Sequence, residues 1–260
     1  MRLQGLAYYA RSVPTLLLNI APRAKMVSLF LGRALPQPLT IRLRGSGLQF
    51  RVRTAMDVWI IKETCLDHYY EYGMALQDNW TIIDLGAGLG DFSTYAGWCS
   101  PRGRIVAFEP SPESFALLQH NLQINGMHHV EAQDCAVADA TGKLLLNVDS
   151  KHATQHTITA PGTRMIEVRA ITLPEVFEAH GLDHCDFLKM DIEGGEYAIL
   201  RSAGADVLKR VQRIALEYHD NTPAGKHAEL VRLLQASGFR VQVRANPVHD
   251  YLGHLYATRS

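Results

Sequence analysis

Apolar positions along this chain fall into two alternating rhythms. Thr15-Leu16-Leu17-Leu18-Asn19-Ile20 and Met26 to Leu35 are apolar stretches separated by Arg23 and Lys25, and they predict one or two amphipathic helices. Neither approaches the roughly 20 uninterrupted residues of a spanning helix. Ile41-Arg42-Leu43-Arg44, the turn Gly45-Ser46-Gly47, and Leu48-Gln49-Phe50-Arg51-Val52 alternate in period two, which predicts a β-hairpin. Helical spacing returns from Asp57 to Tyr72. From Trp80 onward short apolar strands alternate with helices. The strands are Trp80–Asp84, Arg104–Glu109, His129–Ala132, Lys143–Val148, Asp186–Asp191 and Gln212–Glu217, with Arg240–Val243 and Gly253–Thr258 as a closing antiparallel pair. Such alternation predicts an α/β fold whose mostly parallel sheet is covered on both faces. The chain divides into an N-terminal helical and hairpin extension, residues 1–78, and a main domain, residues 79–260.

Ligands of parallel α/β sheets bind at the carboxyl ends of the strands. Here four strands end in acids, Asp84, Glu109, Asp191 and Glu217, so those carboxylates are expected along one sheet edge. The first strand runs into Asp84-Leu85-Gly86-Ala87-Gly88-Leu89-Gly90, and Asp91 opens the next helix. The glycines allow a tight turn and close approach of a ligand to the backbone. A dinucleotide fold wants G-x-G-x-x-G, with pyrophosphate at the helix N-terminus. The G-x-G-x-G spacing followed by Asp91 disfavours pyrophosphate, and with it an NAD-dependent oxidoreductase. It suits a ligand with a cationic end. Glu109, about twenty residues on, is placed to accept ribose hydroxyls.

Residues 81–109 resemble motif I and the following acid of class I S-adenosylmethionine-dependent methyltransferases. The wider pattern resembles the FkbM-type family: Ile83 to Ser93, Val106-Ala107-Phe108-Glu109-Pro110, Asn121-Leu122 with Asn125, Lys189-Met190-Asp191-Ile192-Glu193-Gly194-Gly195-Glu196, and Glu217-Tyr218-His219. The resemblance implies a Rossmann-like seven-stranded sheet with the last strand antiparallel, and S-adenosylmethionine as cofactor. It implies that Asp84, Gly86, Ala87, Gly88, Gly90, Asp91 and Phe92 surround its methionine end. By the same resemblance Glu109 holds the ribose, Pro110 and Ser111 flank the adenosine, Asp134 meets the adenine amino group, and Asp191 faces the transferable methyl.

Asp191 and Glu193 share the spacing of Glu217 and His219, so on adjacent strands these four would converge. Two chemistries fit. One of Asp191, Glu193 or His219 acts as general base on a substrate hydroxyl, or Asp191, Glu193, Glu217 and His219 hold a divalent metal such as Mg. The first is preferred. Glu196 is read as an acid favouring the start of the following helix. The Asn-Pro-Pro-Tyr-like loop of amino methyltransferases is missing after this strand, which favours oxygen as acceptor. Lys151-His152-Ala153-Thr154-Gln155-His156-Thr157 is a candidate substrate lid.

Composition narrows the partners. With 26 basic and 26 acidic residues the net charge is zero, which gives no global attraction for nucleic acid. Cys65, Cys99, Cys135 and Cys185 form no C-x-x-C pair and suit free thiols in a reducing compartment, hence a cytoplasmic location. The expected partner is a small-molecule or glycan substrate. Peripheral membrane contact through the N-terminal helices and a homodimer are left open. The competing reading is a non-catalytic protein of the same fold that binds a partner or membrane through those helices.

Overall fold

The computed structural model describes residues 3–33, 39–148, 156–157, 164–221 and 225–259. The chain opens with α1 (Leu3–Asn19), β1 (Ile20–Ala21) and α2 (Arg23–Phe30), then the hairpin β2 (Leu39–Leu43) and β3 (Gln49–Val52), then α3 (Ala55–Cys65). A capping box starts α3: the Thr54 hydroxyl accepts from the Asp57 N–H, and the Asp57 carboxylate accepts from the Thr54 N–H. The helix expected to reach Tyr72 stops at Cys65. His68 takes the left-handed backbone region (φ 54°), and a single 3₁₀ turn, Tyr69–Glu71, follows.

The main sheet then forms around β4 (Thr81–Leu85), α4 (Asp91–Cys99), β5 (Arg104–Phe108), α5 (Pro112–Ile124) and β6 (Val130–Gln133). A second sheet interrupts it, made from β7 (Ala136–Ala138), β8 (Gly142–Val148), β9 (His156–Thr157) and β10 (Met165–Thr172). The main sheet resumes with α6 (Leu173–Ala179), β11 (Phe187–Met190), α7 (Glu196–Lys209), β12 (Arg213–His219), α8 (His227–Ala236), β13 (Phe239–Ala245) and β14 (Leu252–Arg259). Its order is β13-β14-β12-β11-β4-β5-β6, parallel except that β14 runs antiparallel between β12 and β13. This is the expected class I methyltransferase sheet.

The Lys143–Val148 strand lies in the second sheet instead of the first, in the order β7-β10-β8-β9. Its partner places it there: β8 pairs antiparallel with β10, whose buried Val168 and Ala170 alternate with exposed Glu167 and Arg169, the pattern of a sheet with one solvated face. Of the candidate lid, only His156 and Thr157 fall within the described residues, where they pair with β8.

Strand parity sorts the core. Ile83, Leu85, Val106, Leu188, Met190 and Leu216 face α6, α7 and α8. Ile82, Ile105, Ala107, Phe187 and Ala215 face the other way, in one cluster with Leu16, Ile20, Met26, Ile41, Phe50, Val58 and Ile61. The N-terminal elements therefore complete the core over this second face.

Candidate functional site

Register builds the site. Lys189 on β11 is opposite Asp84 on β4, and Met190 is opposite both Leu85 and Leu216. One residue further, Asp191 donates its N–H to the Leu85 carbonyl, beside the glycine loop. On the other side Glu217 pairs with His254 of β14. Asp84, Lys189, Asp191, Glu217 and His254 share the parity of the face covered by the N-terminal half, so their side chains meet there.

The loop is held from beneath. The N–H groups of Gly86 and Ala87 both donate to the Phe108 carbonyl at 3.0 Å. Gly86 (φ 73°) has no room for a side chain, since a Cβ would stand 1.8 Å from the Asp191 carbonyl oxygen. A Cβ on Gly88 (φ 56°) would meet nothing within 4 Å, because that side opens into a cleft. Its walls include Gly86, Gly88, Asp91, Glu109, Pro110, Lys189, Asp191 and Glu193, together with Arg53, Ile60, Tyr70, Ala136, Val137 and Leu146.

Lys189 is the buried keystone of the loop. Its Nζ lies 3.0 Å from Asp84 Oδ1 and donates to the Gly86 carbonyl at 2.6 Å. Burial opposes its charge, but Asp84, Asp191 and Asp91 outweigh burial and raise its pKa. Asp84 also accepts from Ser93 Oγ at 2.5 Å. Asp84 therefore supports the loop from below and does not face the cleft. Ala87, Gly90, Phe92, Ser111 and Asp134 do not face it either. Ala87 and Phe92 are core, Gly90 packs on Leu118, Ser111 caps α5, and Asp134 is exposed.

Two cleft acids are strongly perturbed. Burial pushes the Asp91 carboxyl up to about 6, against the opposing pull of Lys189 and a 2.5 Å bond from Thr64 Oγ1. Burial likewise pushes Glu109 up to about 7, although the N–H groups of Ser111 and Gly88 donate to its two oxygens at 2.8 Å each. Because the folded pKa exceeds the unfolded one, folding favours protonated Glu109. The stability it contributes is complete below about pH 4.5 and is lost as pH rises through about 7. In the ligand-free protein, raising pH from about 5 to about 8 is expected to cost about 3 kcal/mol at this residue. Asp91 works in the same direction. Glu109→Gln should flatten the pH dependence of urea-denaturation stability; an unchanged slope would remove Glu109 as its source.

Beyond Asp191 the chain leaves the strand. Glu193 takes a left-handed backbone (φ 54°), a strained conformation for a residue with a side chain. This turns its carboxylate toward β12, where Oε2 lies 3.1 Å from His219 Nε2. Glu196 Oε1 lies 3.4 Å from His219 Nδ1 and accepts from the Gly194 N–H. Glu196, read from sequence as a helix-start acid, thus also grips the histidine. Burial disfavours the imidazolium, but the two glutamates prevail and raise the His219 pKa to about 11. At neutral pH the ring already carries its proton, which leaves His219 a poor candidate for the accepting base. Burial, reinforced by Asp191, raises Glu217 well above the carboxylate range. Tyr70, which the sequence reading overlooked, donates to Asp191 Oδ2 at 3.0 Å.

One ligand atom each of Asp191, Glu217 and His219 lie within 4.8 Å of one another, a grouping able to hold a cation. Glu193 instead ion-pairs with His219. A cation here would compete with the His219 imidazolium, which already offsets part of the cluster's negative charge.

The sequence of residues 84–241 matches the model of the methyltransferase FkbM domain. Methyltransferase sdnD of Sordaria araneosa is 26% identical over 77% of this chain and 89% of its own length. The 31-O-demethyl-FK506 methyltransferase FkbM of Streptomyces tacrolimicus is 25% identical over 80% of this chain and 92% of its own. Among solved structures, the FkbM methyltransferase of Methylobacillus flagellatus KT superposes with a TM-score of 0.51 at 15% identity, covering 96% of this chain and 60% of that one. The family match spans the glycine loop, the Lys189–Glu196 segment and the Glu217–His219 strand end, and this chain belongs to the FkbM family of methyltransferases.

Proposed function

We propose that this methyltransferase uses S-adenosylmethionine to methylate a hydroxyl of a small natural product, sugar or glycan. The observation that carries this reading is the Asp191 carboxylate standing beside the glycine loop on the wall of the cleft. The residues present fit the cofactor. The open side of Gly88 leaves room for it. Glu109, anchored by two N–H donors, keeps lone pairs free for ribose hydroxyls, and Asp91 offers a carboxylate to its ammonium end. When bound, S-adenosylmethionine supplies an electrophilic methyl on a sulfonium.

The chain's own residues supply the rest. Asp191 accepts the proton of the acceptor hydroxyl while Tyr70 fixes one of its oxygens. His219, charged and clamped by Glu193 and Glu196, holds the cluster in place and offsets its negative charge. Two relatives' names agree with this reading: one is named for 31-O-demethyl-FK506, and the hexuronic acid methyltransferase AglP of Haloferax volcanii, 21% identical over 72% of this chain, for a sugar acid.

Calorimetry with S-adenosylhomocysteine should give a Kd below about 100 µM, and absence of binding up to about 1 mM would sink the cofactor reading. With the imidazolium already offsetting part of the cluster's charge, methyl transfer should proceed equally with and without EDTA. A loss of activity restored by Mg²⁺ would replace the metal-free reading with a metal held by Asp191, Glu217 and His219.

A further inference from the structure

The zero net charge conceals a lopsided distribution. Nine of the 26 lysines and arginines lie in residues 1–56, and none of the 26 acids does; the first is Asp57. The remaining chain carries an equal acidic excess.

The same region exposes apolar surface in an ordered way. Helix α1 buries Ser12 and Leu16 on the domain, and Tyr8 packs edge-on against Trp59 of α3. Its opposite side presents Ala10, Val13, Pro14, Leu17 and Leu18, at positions i, i+3, i+4, i+7 and i+8. That is the apolar stripe of an amphipathic helix, turned to solvent instead of to the core. Val13 is 53% exposed and Leu18 63%. On α2, Val27 is exposed, and Leu31 just beyond its end is 63% exposed. Cations border this surface. Arg11, Arg23, Lys25 and Arg33 are all exposed, and among the described residues none of them forms an ion pair. Arg23 Nε donates to the Leu17 carbonyl, which holds a guanidinium at the end of the stripe.

From the aliphatic stripe and its acid-free basic border, we infer that the α1–α2 face docks on an anionic membrane surface. Aliphatic side chains enter the headgroup–acyl boundary and the cations meet lipid phosphates and carboxylates. Nucleic acid would use the cations and leave Val13, Leu17 and Leu18 idle. A second copy would bring two acid-free basic faces together, which like-charge repulsion opposes. Among the described residues no helix is long and apolar enough to cross a membrane, so the helix lies on the surface.

The test is flotation of the full chain with phosphatidylcholine vesicles, with and without phosphatidylserine. The wild type should float with the phosphatidylserine vesicles alone and be released by added salt. L17E/L18E, changed only at exposed positions, should bind at least about tenfold more weakly with an unchanged melting temperature. R23E/K25E should lose the preference for phosphatidylserine. The inference is overturned if the wild type floats with neither vesicle, or equally with both, or if L17E/L18E floats as well as wild type. It is also overturned if light scattering finds a wild-type dimer that L17E/L18E converts to monomer, since a second copy would then own the face.

Discussion

Lys189→Met is expected to destabilise the protein by about 3–5 kcal/mol, the range for removing one partner of a buried ion pair. Lys189 is 3% exposed and Asp84 fully buried, so water cannot replace the lost ammonium. Methionine fills the space of the stem but leaves Asp84, among the described residues, only the hydrogen bond from Ser93 Oγ, and strips the Gly86 carbonyl of its donor. For a chain of this size the melting temperature should fall by roughly 10 °C. The double variant K189M/D84N removes the stranded charge and should recover a large part of the loss, because deleting both members of a buried pair is far less costly than deleting one. A single-variant loss below about 1 kcal/mol would mean that the pair does not hold the loop. S-adenosylhomocysteine affinity should fall in parallel in K189M, since the donor that pins Gly86 is gone.

That pair also marks the limit of what the sequence discloses. The sheet was legible because its strands are short apolar runs ending in acids, and the order of loop, helix, strand and acid points to one sheet edge. Asp191 and Glu217 were legible for the same reason: parity and strand-end position put them on one edge. Lys189 could have been found by the same argument. A lone cation inside Phe187-Leu188-Lys189-Met190 is a costly residue in a buried strand, and the acid that neutralises it must sit on a neighbouring strand.

Other features leave no local trace. Tyr70 reaches Asp191 across 121 positions, by way of a 3₁₀ turn that no periodicity announces. Glu193 has the i, i+2 spacing that puts it on the side of Asp191 and toward His219. It meets His219, as the matched spacing of the two strand ends predicts, but through a left-handed backbone after the strand ends that the spacing does not announce. The assignment of β8 to a second sheet turns on which strand it pairs with, and a short apolar run alone carries no partner. Net charge misled in another way: averaging over the whole chain cancelled a basic N-terminal region against an acidic remainder.

The largest effect on turnover is expected from Asp191→Asn. Asparagine is nearly isosteric, and its amide oxygen can still accept from Tyr70, so the turn and the glycine loop beside it should keep their geometry. What it cannot do is take a proton. Removing a general base typically costs about 10²–10⁴-fold, so kcat should fall in that range while S-adenosylhomocysteine affinity stays within a few-fold. Glu193→Gln offers the contrast. It weakens the clamp on His219 without removing the base, and should shift the pH profile of kcat more than its maximum. If Asp191→Asn kept more than about a tenth of the wild-type kcat, proton acceptance would have to move to Glu193, the other cleft carboxylate beside the imidazolium. The same variant separates the two chemistries open to the cluster. A metal ligand replaced by a weaker oxygen donor is rescued by excess Mg²⁺, whereas a missing base is not, because a saturating cation restores charge and position but not a site for the departing proton.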